Sequence, residues 1–181
     1  MSLSDITVVC GPMFAGKSSY LIDTWEQMPR FRKETTLVFK HYRDTRYTEY
    51  AIASHDGRQL LAIPVQTWEE IRDLIYAKDP KIVMIDEVQF FEDGDGLVNF
   101  IQEITSEWNI QFILAGLDMD CTGHPFGIVP DLLSIADSVV KLTNVCDVCK
   151  EPGTRTVSIN GNTGVGGAES YSGRCVAHVK S

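Results

Sequence analysis

The sequence predicts an α/β fold: a parallel sheet with helices on both faces, followed by a small cysteine-bracketed subdomain. Three observations predict it. Five short segments, 6–10, 35–40, 81–86, 110–116 and 137–142, are rich in β-branched residues and apolar almost throughout, as strands covered on both faces should be. Helical patterns alternate with them at 17–28, 67–77, 95–106 and 130–136, which calls for right-handed crossovers between parallel strands. From Cys146 onward the chain turns polar and glycine-rich between two pairs of metal-ligand residues. The expected division is therefore 1–143 for the α/β domain and 144–181 for the appendage.

At 181 residues there is room for one sizeable hydrophobic core. Sixteen basic against 25 acidic residues leave a formal charge of −9, which disfavours nucleic acids and anionic membranes, since both demand clustered Lys and Arg. No apolar run approaches a membrane span and no secretory pattern is visible. A cytoplasmic protein is expected, and its five cysteines read as thiols or metal ligands rather than disulfides.

The first strand, "ITVVC", runs into Gly11-Pro12-Met13-Phe14-Ala15-Gly16-Lys17-Ser18, which satisfies G-x-x-x-x-G-K-[ST] with a strand before it and a helix after it. Such a P-loop turns successive N–H groups inward as an anion nest, and the helix dipole adds to it. Gly11, Met13, Phe14, Ala15, Gly16, Lys17, Ser18 and Ser19 are the candidate nucleotide contacts. Lys17 would reach the β- and γ-phosphates of ATP, and the Ser18 hydroxyl would ligate Mg²⁺. A chance glycine turn is the bland alternative, and a Lys-Ser pair at the helix start argues against it. The fold expected is thus of the P-loop NTPase type.

After the second strand, residues 41–63 read as a mobile polar arm or hairpin, with "HDG" as its turn. Thr67 with Glu70 three residues on forms a capping box at the next helix start. The third strand ends in "KIVMIDEVQFF". Asp86 would lie at the C-terminal edge of the sheet and hold Mg²⁺ through water, with Glu87 free to act as a general base. In isolation this pair would be two solvated acids; the P-loop upstream reverses that preference. These motifs leave open a kinase, an ATPase with Glu87 activating water, and a nucleotide switch.

Cys146-x-x-Cys149 and Cys175-x-x-His178 have the ligand count and N/S chemistry of a closed structural Zn²⁺ site. Cys10 and Cys121 lack partners of this kind and read as buried thiols. The stretch between the pairs, "EPGTRTVSINGNTGVGGAESYSG", cannot build much core, so a metal staple at its base makes physical sense.

"GPMFAGKSS", "RDTRY", "SHDG", "DEVQFF", "GLDMDCTGHPFG", "IADSVVKL", "CDVC" and "GGAESY" followed by Cys175 and His178 occur in that order over nearly all of residues 5–178. In these pieces the chain resembles the thymidine kinase family of the cytosolic, zinc-containing type. The resemblance implies transfer of the γ-phosphate of MgATP to the 5′-hydroxyl of thymidine, and of deoxyuridine, in nucleotide salvage. It implies Glu87 as the base, with Lys17 and Arg46 neutralising charge on the transferred group and Ser18 and Asp86 holding magnesium. Asp44 would position the metal or the arm. Met13, Phe90 and Leu117 match positions that line the base pocket, although alone they would read as core.

By the same resemblance, the loop between the cysteine pairs is a lasso over the nucleoside, with Val165, Gly166, Gly167 and Tyr171 as its contacts. Family members commonly carry Phe where this chain has Cys121, and a stacked ring contributes about 1–3 kcal/mol to base binding. Either another ring such as Phe126 compensates, or thymidine binds more weakly. A homotetramer is also implied.

Overall fold

A computed structural model of the chain describes residues 6–44, 49–54, 56–161 and 167–180. The first apolar segment forms β1 (Ile6–Cys10), and the P-loop leads into α1 (Lys17–Gln27). A four-residue helix, α2 (Arg30–Lys33), precedes β2 (Thr36–His41). Next come a hairpin of β3 (Ala51–Ala53) and β4 (Gln59–Leu61), then β5 (Ile63–Val65) and α3 (Trp68–Lys78). The third apolar segment forms β6 (Ile82–Asp86), followed by α4 (Gly94–Trp108), β7 (Gln111–Gly116), α5 (Val129–Ile135) and β8 (Ser138–Lys141). The remaining strands are short: β9 (Asn144–Val145), β10 (Pro152–Gly153), β11 (Arg155–Ser158) and β12 (Tyr171–Arg174).

The central sheet has the order β5-β2-β6-β7-β1-β8, and all its pairings are parallel. Alternation along the strands divides the core between two faces. Ile6, Val8 and Cys10 of β1 join Val83, Ile85, Phe112 and Leu114 beneath α3, α4 and α5. Val9, Val38, Met84 and Ala115 instead pack with Leu21 and Ile22 of α1. Helices therefore cover both faces, as the continuous apolar strands require.

Local chemistry sets the helix starts. Thr67 and Glu70 form the expected capping box on α3. The Asp93 carboxylate caps α4 by accepting from the Gly96 N–H at 3.2 Å, and it also accepts from the Trp68 indole at 3.0 Å. That acid therefore ties α3 to α4.

The segment 41–63 departs from the expected polar arm at both ends. His41 is the buried last residue of β2, and Ile63 opens β5, which pairs with β2 at the sheet edge. Between them, β3 and β4 pair antiparallel. Ile52, Leu60 and Ala62 are buried against the α1 face. The hairpin is amphipathic, and its polar average conceals the apolar positions that cover the sheet. Helix α2 was not foreseen either, because "RFRK" has no apolar period and is one turn long.

Beyond β8 the chain forms two small antiparallel pairs, β9 with β10 and β11 with β12. The Asp147 carboxylate fastens the second pair to the first. It accepts from the Ser172 hydroxyl and from the Gly173 N–H.

Candidate active site

Four segments converge at the C-terminal edge of the sheet, where open α/β folds place their ligands. The P-loop leaves β1 through Gly11, whose φ is 141°. A Cβ at that position would run into the Leu142 carbonyl, so the close passage of the loop over the end of β8 requires glycine. At Gly16 φ is 86°, and α1 starts directly afterwards. The buried Lys17 ammonium folds back over the loop and donates to the Pro12 carbonyl at 2.7 Å.

The Ser18 hydroxyl donates to Asp86 Oδ2 at 2.9 Å, while Asp86 Oδ1 accepts from the Glu87 N–H at 2.9 Å. The loop hydroxyl and the strand-end carboxylate are thus already side by side. Both offer oxygen, the donor type that a hard divalent cation prefers, so the pair fits magnesium.

Glu87 is 4 % exposed and has a left-handed backbone, φ 59°. It opens a 3-10 turn, Val88–Phe90. Phe14 in the P-loop has a similar φ of 65°. Left-handed non-glycine residues carry strain that the surroundings must hold in place, and such strain gathers at functional sites. Here the holding group is Gln89. Its amide nitrogen donates to Glu87 Oε2 at 2.5 Å, and its amide oxygen accepts from the Leu117 N–H at 3.0 Å. Gly127, at φ 52°, lies so close to the Gln89 carbonyl that no Cβ would fit between them.

Lys40 and Asp44 form a second buried connection, an ion pair at 3.1 Å with the two side chains 1 % and 7 % exposed. Lys40 also donates to the Ala51 carbonyl at 3.0 Å, and it stands in register with Asp86 on the neighbouring strand. This lysine binds the hairpin to the sheet edge and holds Asp44 beside the site.

A cavity of about 100 Å³ brings these parts together. Met13, Phe14, Gly16, Lys17, Ser18 and Ser19 line it from the loop side. Asp44, Glu87 and Leu117 complete it with Ala53, Ser54 and Ala168. Of the expected site residues, Ala15 is half-buried in the loop but does not line the cavity.

Phe90 also lies outside that lining. Its ring meets Phe126 edge-to-face at 5.8 Å and His41 at 5.7 Å. Burial, and then the Arg43 charge, lower the His41 pKa. Cys121 sits in the turn closed by the Met119–Pro125 bridge. It does not line the cavity, and burial raises its thiol pKa.

Gly167 precedes the 3-10 turn Ala168–Ser170, and Tyr171 opens β12. Among the described residues of this segment, their neighbour Ala168 reaches the cavity. Arg46, Val165 and Gly166 lie outside the described residues.

Sequence reasoning passed over Gln89, Lys40, Ser54 and Ala168. Two of them left a signal. Gln89 is a polar residue inside "VQFF", and Lys40 ends the apolar strand "TLVF". A buried polar side chain requires a partner.

Some distance along the chain, Cys146, Cys149, Cys175 and His178 place their ligand atoms within 4.8 Å of one another. Cys149 Sγ lies 3.8 Å from Cys175 Sγ, Cys146 Sγ lies 3.8 Å from His178 Nδ1, and Cys175 Sγ lies 3.1 Å from that nitrogen. Tetrahedral bonds of about 2.3 Å give ligand–ligand edges of roughly 3.8 Å, so the cluster can hold a metal ion of zinc's size and preference. Burial opposes ionisation of the Cys146 thiol. N–H groups of Cys149, Cys175 and Val148 outweigh it together and lower the pKa to about 5. A thiolate is the form that ligates.

With this geometry in place, comparison with known proteins identifies relatives. The thymidine kinase family model matches residues 4–179. A curated thymidine kinase of Mycoplasmoides gallisepticum (strain R(low / passage 15 / clone 2)) is 38 % identical over 184 residues, covering 97 % of this chain and 80 % of that protein.

Proposed function

The chain belongs to the thymidine kinase family, and from that premise we propose how its residues divide the work of phosphorylating thymidine with ATP. The observation that carries the proposal is the buried Glu87 carboxylate, held by Gln89 in one cavity with Lys17 and Ser18. Glu87 accepts the proton of the 5′-hydroxyl as that oxygen attacks the γ-phosphorus. The bond from phosphorus to the β,γ-bridging oxygen breaks, and ADP leaves. Lys17 exchanges the Pro12 carbonyl for the phosphates and neutralises the charge that spreads over the transferred group. Arg46 supports the same charge from the arm.

Ser18 and Asp86 would hold the magnesium ion, which would supply positive charge to offset that of the phosphates. Gly11, Phe14, Ala15, Gly16 and Ser19 present the loop backbone to ATP. Asp44, held by Lys40, would position the metal or the arm. Met13, Leu117 and the Phe90–Phe126 pair form the wall against the base, with the lasso residues Val165, Gly166, Gly167 and Tyr171 closing over it.

Neither Cys121 nor Phe126 lines the cavity, but Phe126 meets Phe90 edge-to-face, which supports Phe126 as the ring that compensates for the cysteine. Phe126→Ala is therefore expected to raise the KM for thymidine by about fivefold or more while the KM for ATP stays within twofold, because one stacked ring is worth about 1–3 kcal/mol. Steady-state kinetics with each substrate varied in turn check this. Equal changes in both constants would remove Phe126 from the base wall.

The Cys146, Cys149, Cys175 and His178 cluster is proposed to hold one structural Zn²⁺ per chain, and residues 144–181 to act as a unit apart from the 1–143 domain. A homotetramer in the cytoplasm is inferred from the family resemblance, and the acidic charge disfavours nucleic-acid and membrane partners. Among the described residues no helix is long and apolar enough to cross a membrane. The reaction is tested by incubating the protein with ATP and a nucleoside panel. Thymidine, and then deoxyuridine, should give monophosphates. ATP hydrolysis without a nucleoside product would mean that Glu87 activates water instead.

A further inference from the structure

Two side chains from beyond β8 hydrogen-bond to the backbone of the phosphate loop. The Met13 N–H donates to Thr156 Oγ1 at 2.9 Å, and the Met13 carbonyl accepts from Asn144 Nδ2 at 2.9 Å. Thr156 lies 143 residues further along the chain and Asn144 lies 131. Both side chains are buried, at 7 % and 4 % exposed. Asn144 opens β9 and Thr156 lies within β11, the strands on either side of the first cysteine pair. Asn144 also donates to the Arg155 carbonyl at 3.3 Å, so one amide bridges the loop and β11.

The position of this grip matters. Met13 stands immediately before Phe14, where the backbone enters its left-handed turn, and the N–H groups that follow form the anion nest. The Met13 N–H itself is directed at Thr156, so it orients the nest instead of joining it. A P-loop binds phosphate only while its N–H groups converge. When the competent shape is only partly populated, apparent affinity falls in proportion.

We propose that Thr156 and Asn144 are positioning residues that lock the phosphate loop in its ATP-binding shape, so that the donor site depends on the cysteine-bracketed unit. The proposal rests on the reading that the loop binds ATP in thymidine phosphorylation. Through this grip, residues more than a hundred positions along the chain control the affinity for the donor.

The test uses the full-length protein with its metal. Thr156→Val keeps the side-chain shape and removes the acceptor, and Thr156→Ser restores it. In Thr156→Val the KM for ATP should rise about five- to tenfold, the scale of one buried hydrogen bond. The KM for thymidine should rise by a clearly smaller factor, since Met13 also faces the base, and zinc content should equal that of the wild type. Thr156→Ser should return the KM for ATP to within twofold of the wild type. If Thr156→Val does not fold, Asn144→Ser, which shortens the donor out of reach, is read in the same way. An unchanged KM for ATP overturns the proposal. So do equal rises in both constants, or a loss of zinc, since either marks a general structural role. A wild-type protein that makes no thymidine monophosphate would strike the underlying reading instead, and the two failures are thereby distinct.

Discussion

Glu87→Gln should lower kcat by about 10³-fold while ATP affinity stays within about twofold, because a positioned general base contributes roughly 10²- to 10⁴-fold. The substitution is nearly isosteric, and its amide oxygen can still accept from Gln89. The left-handed turn at Glu87 and the Ser18–Asp86 contact then persist. What disappears is the capacity to take the 5′-hydroxyl proton. Single-turnover formation of the monophosphate, beside equilibrium binding of ATP, separates these effects. Turnover within about threefold of the wild type would exclude Glu87 as the base. Gln89→Leu gives a companion result, since it removes the donor to Glu87 and the acceptor for the Leu117 N–H. It should lower kcat by a smaller factor than Glu87→Gln.

Loss of the metal is the second large effect expected. Binding free energies of structural zinc sites are about 10–16 kcal/mol, comparable to the whole stability of a small domain. Cys146→Ser should reduce zinc from about one ion per chain to nearly none. It should also expose residues 144–181 to limited proteolysis and lower kcat/KM for thymidine by about 100-fold or more. Asp147 lies inside the first cysteine pair and holds Ser172 and Gly173, so disorder at the ligands spreads to β12 and to Ala168 at the cavity. Cys121→Ser, at a thiol outside the cluster, should retain its zinc. Metal analysis of the purified proteins decides the matter, and a metal-free protein with full activity would refute the staple.

The phosphate loop and the Thr67–Glu70 box could be read from the sequence because each is written within a few consecutive residues. Strand positions were legible for a related reason: a strand buried on both faces needs an unbroken apolar run, and "KIVMID" and "IQFILAG" contain one. By contrast β5 is "IPV", three residues at a sheet edge, too short for a periodic signal. The hairpin β3–β4 was legible from its turn, whereas its buried Ile52 and Leu60 were masked by the polar residues around them. Ala168 carries no chemical mark at all; it enters the site only through its place in the fold.

The sequence by itself determined the α/β class, the nucleotide loop, Asp86 and Glu87 at a strand end, and four ligands able to close on a metal. Each follows from local spacing, which backbone geometry converts directly into direction. Only the tertiary structure decided that Gln89 holds Glu87, that Lys40 fixes Asp44, and that Thr156 and Asn144 grip Met13 from more than a hundred residues away. Contacts of that kind depend on the strand order β5-β2-β6-β7-β1-β8 and on where the chain returns after β8. Residues far apart in sequence acquire a shared hydrogen bond only when the core has brought their strands together and excluded the water that would otherwise satisfy them.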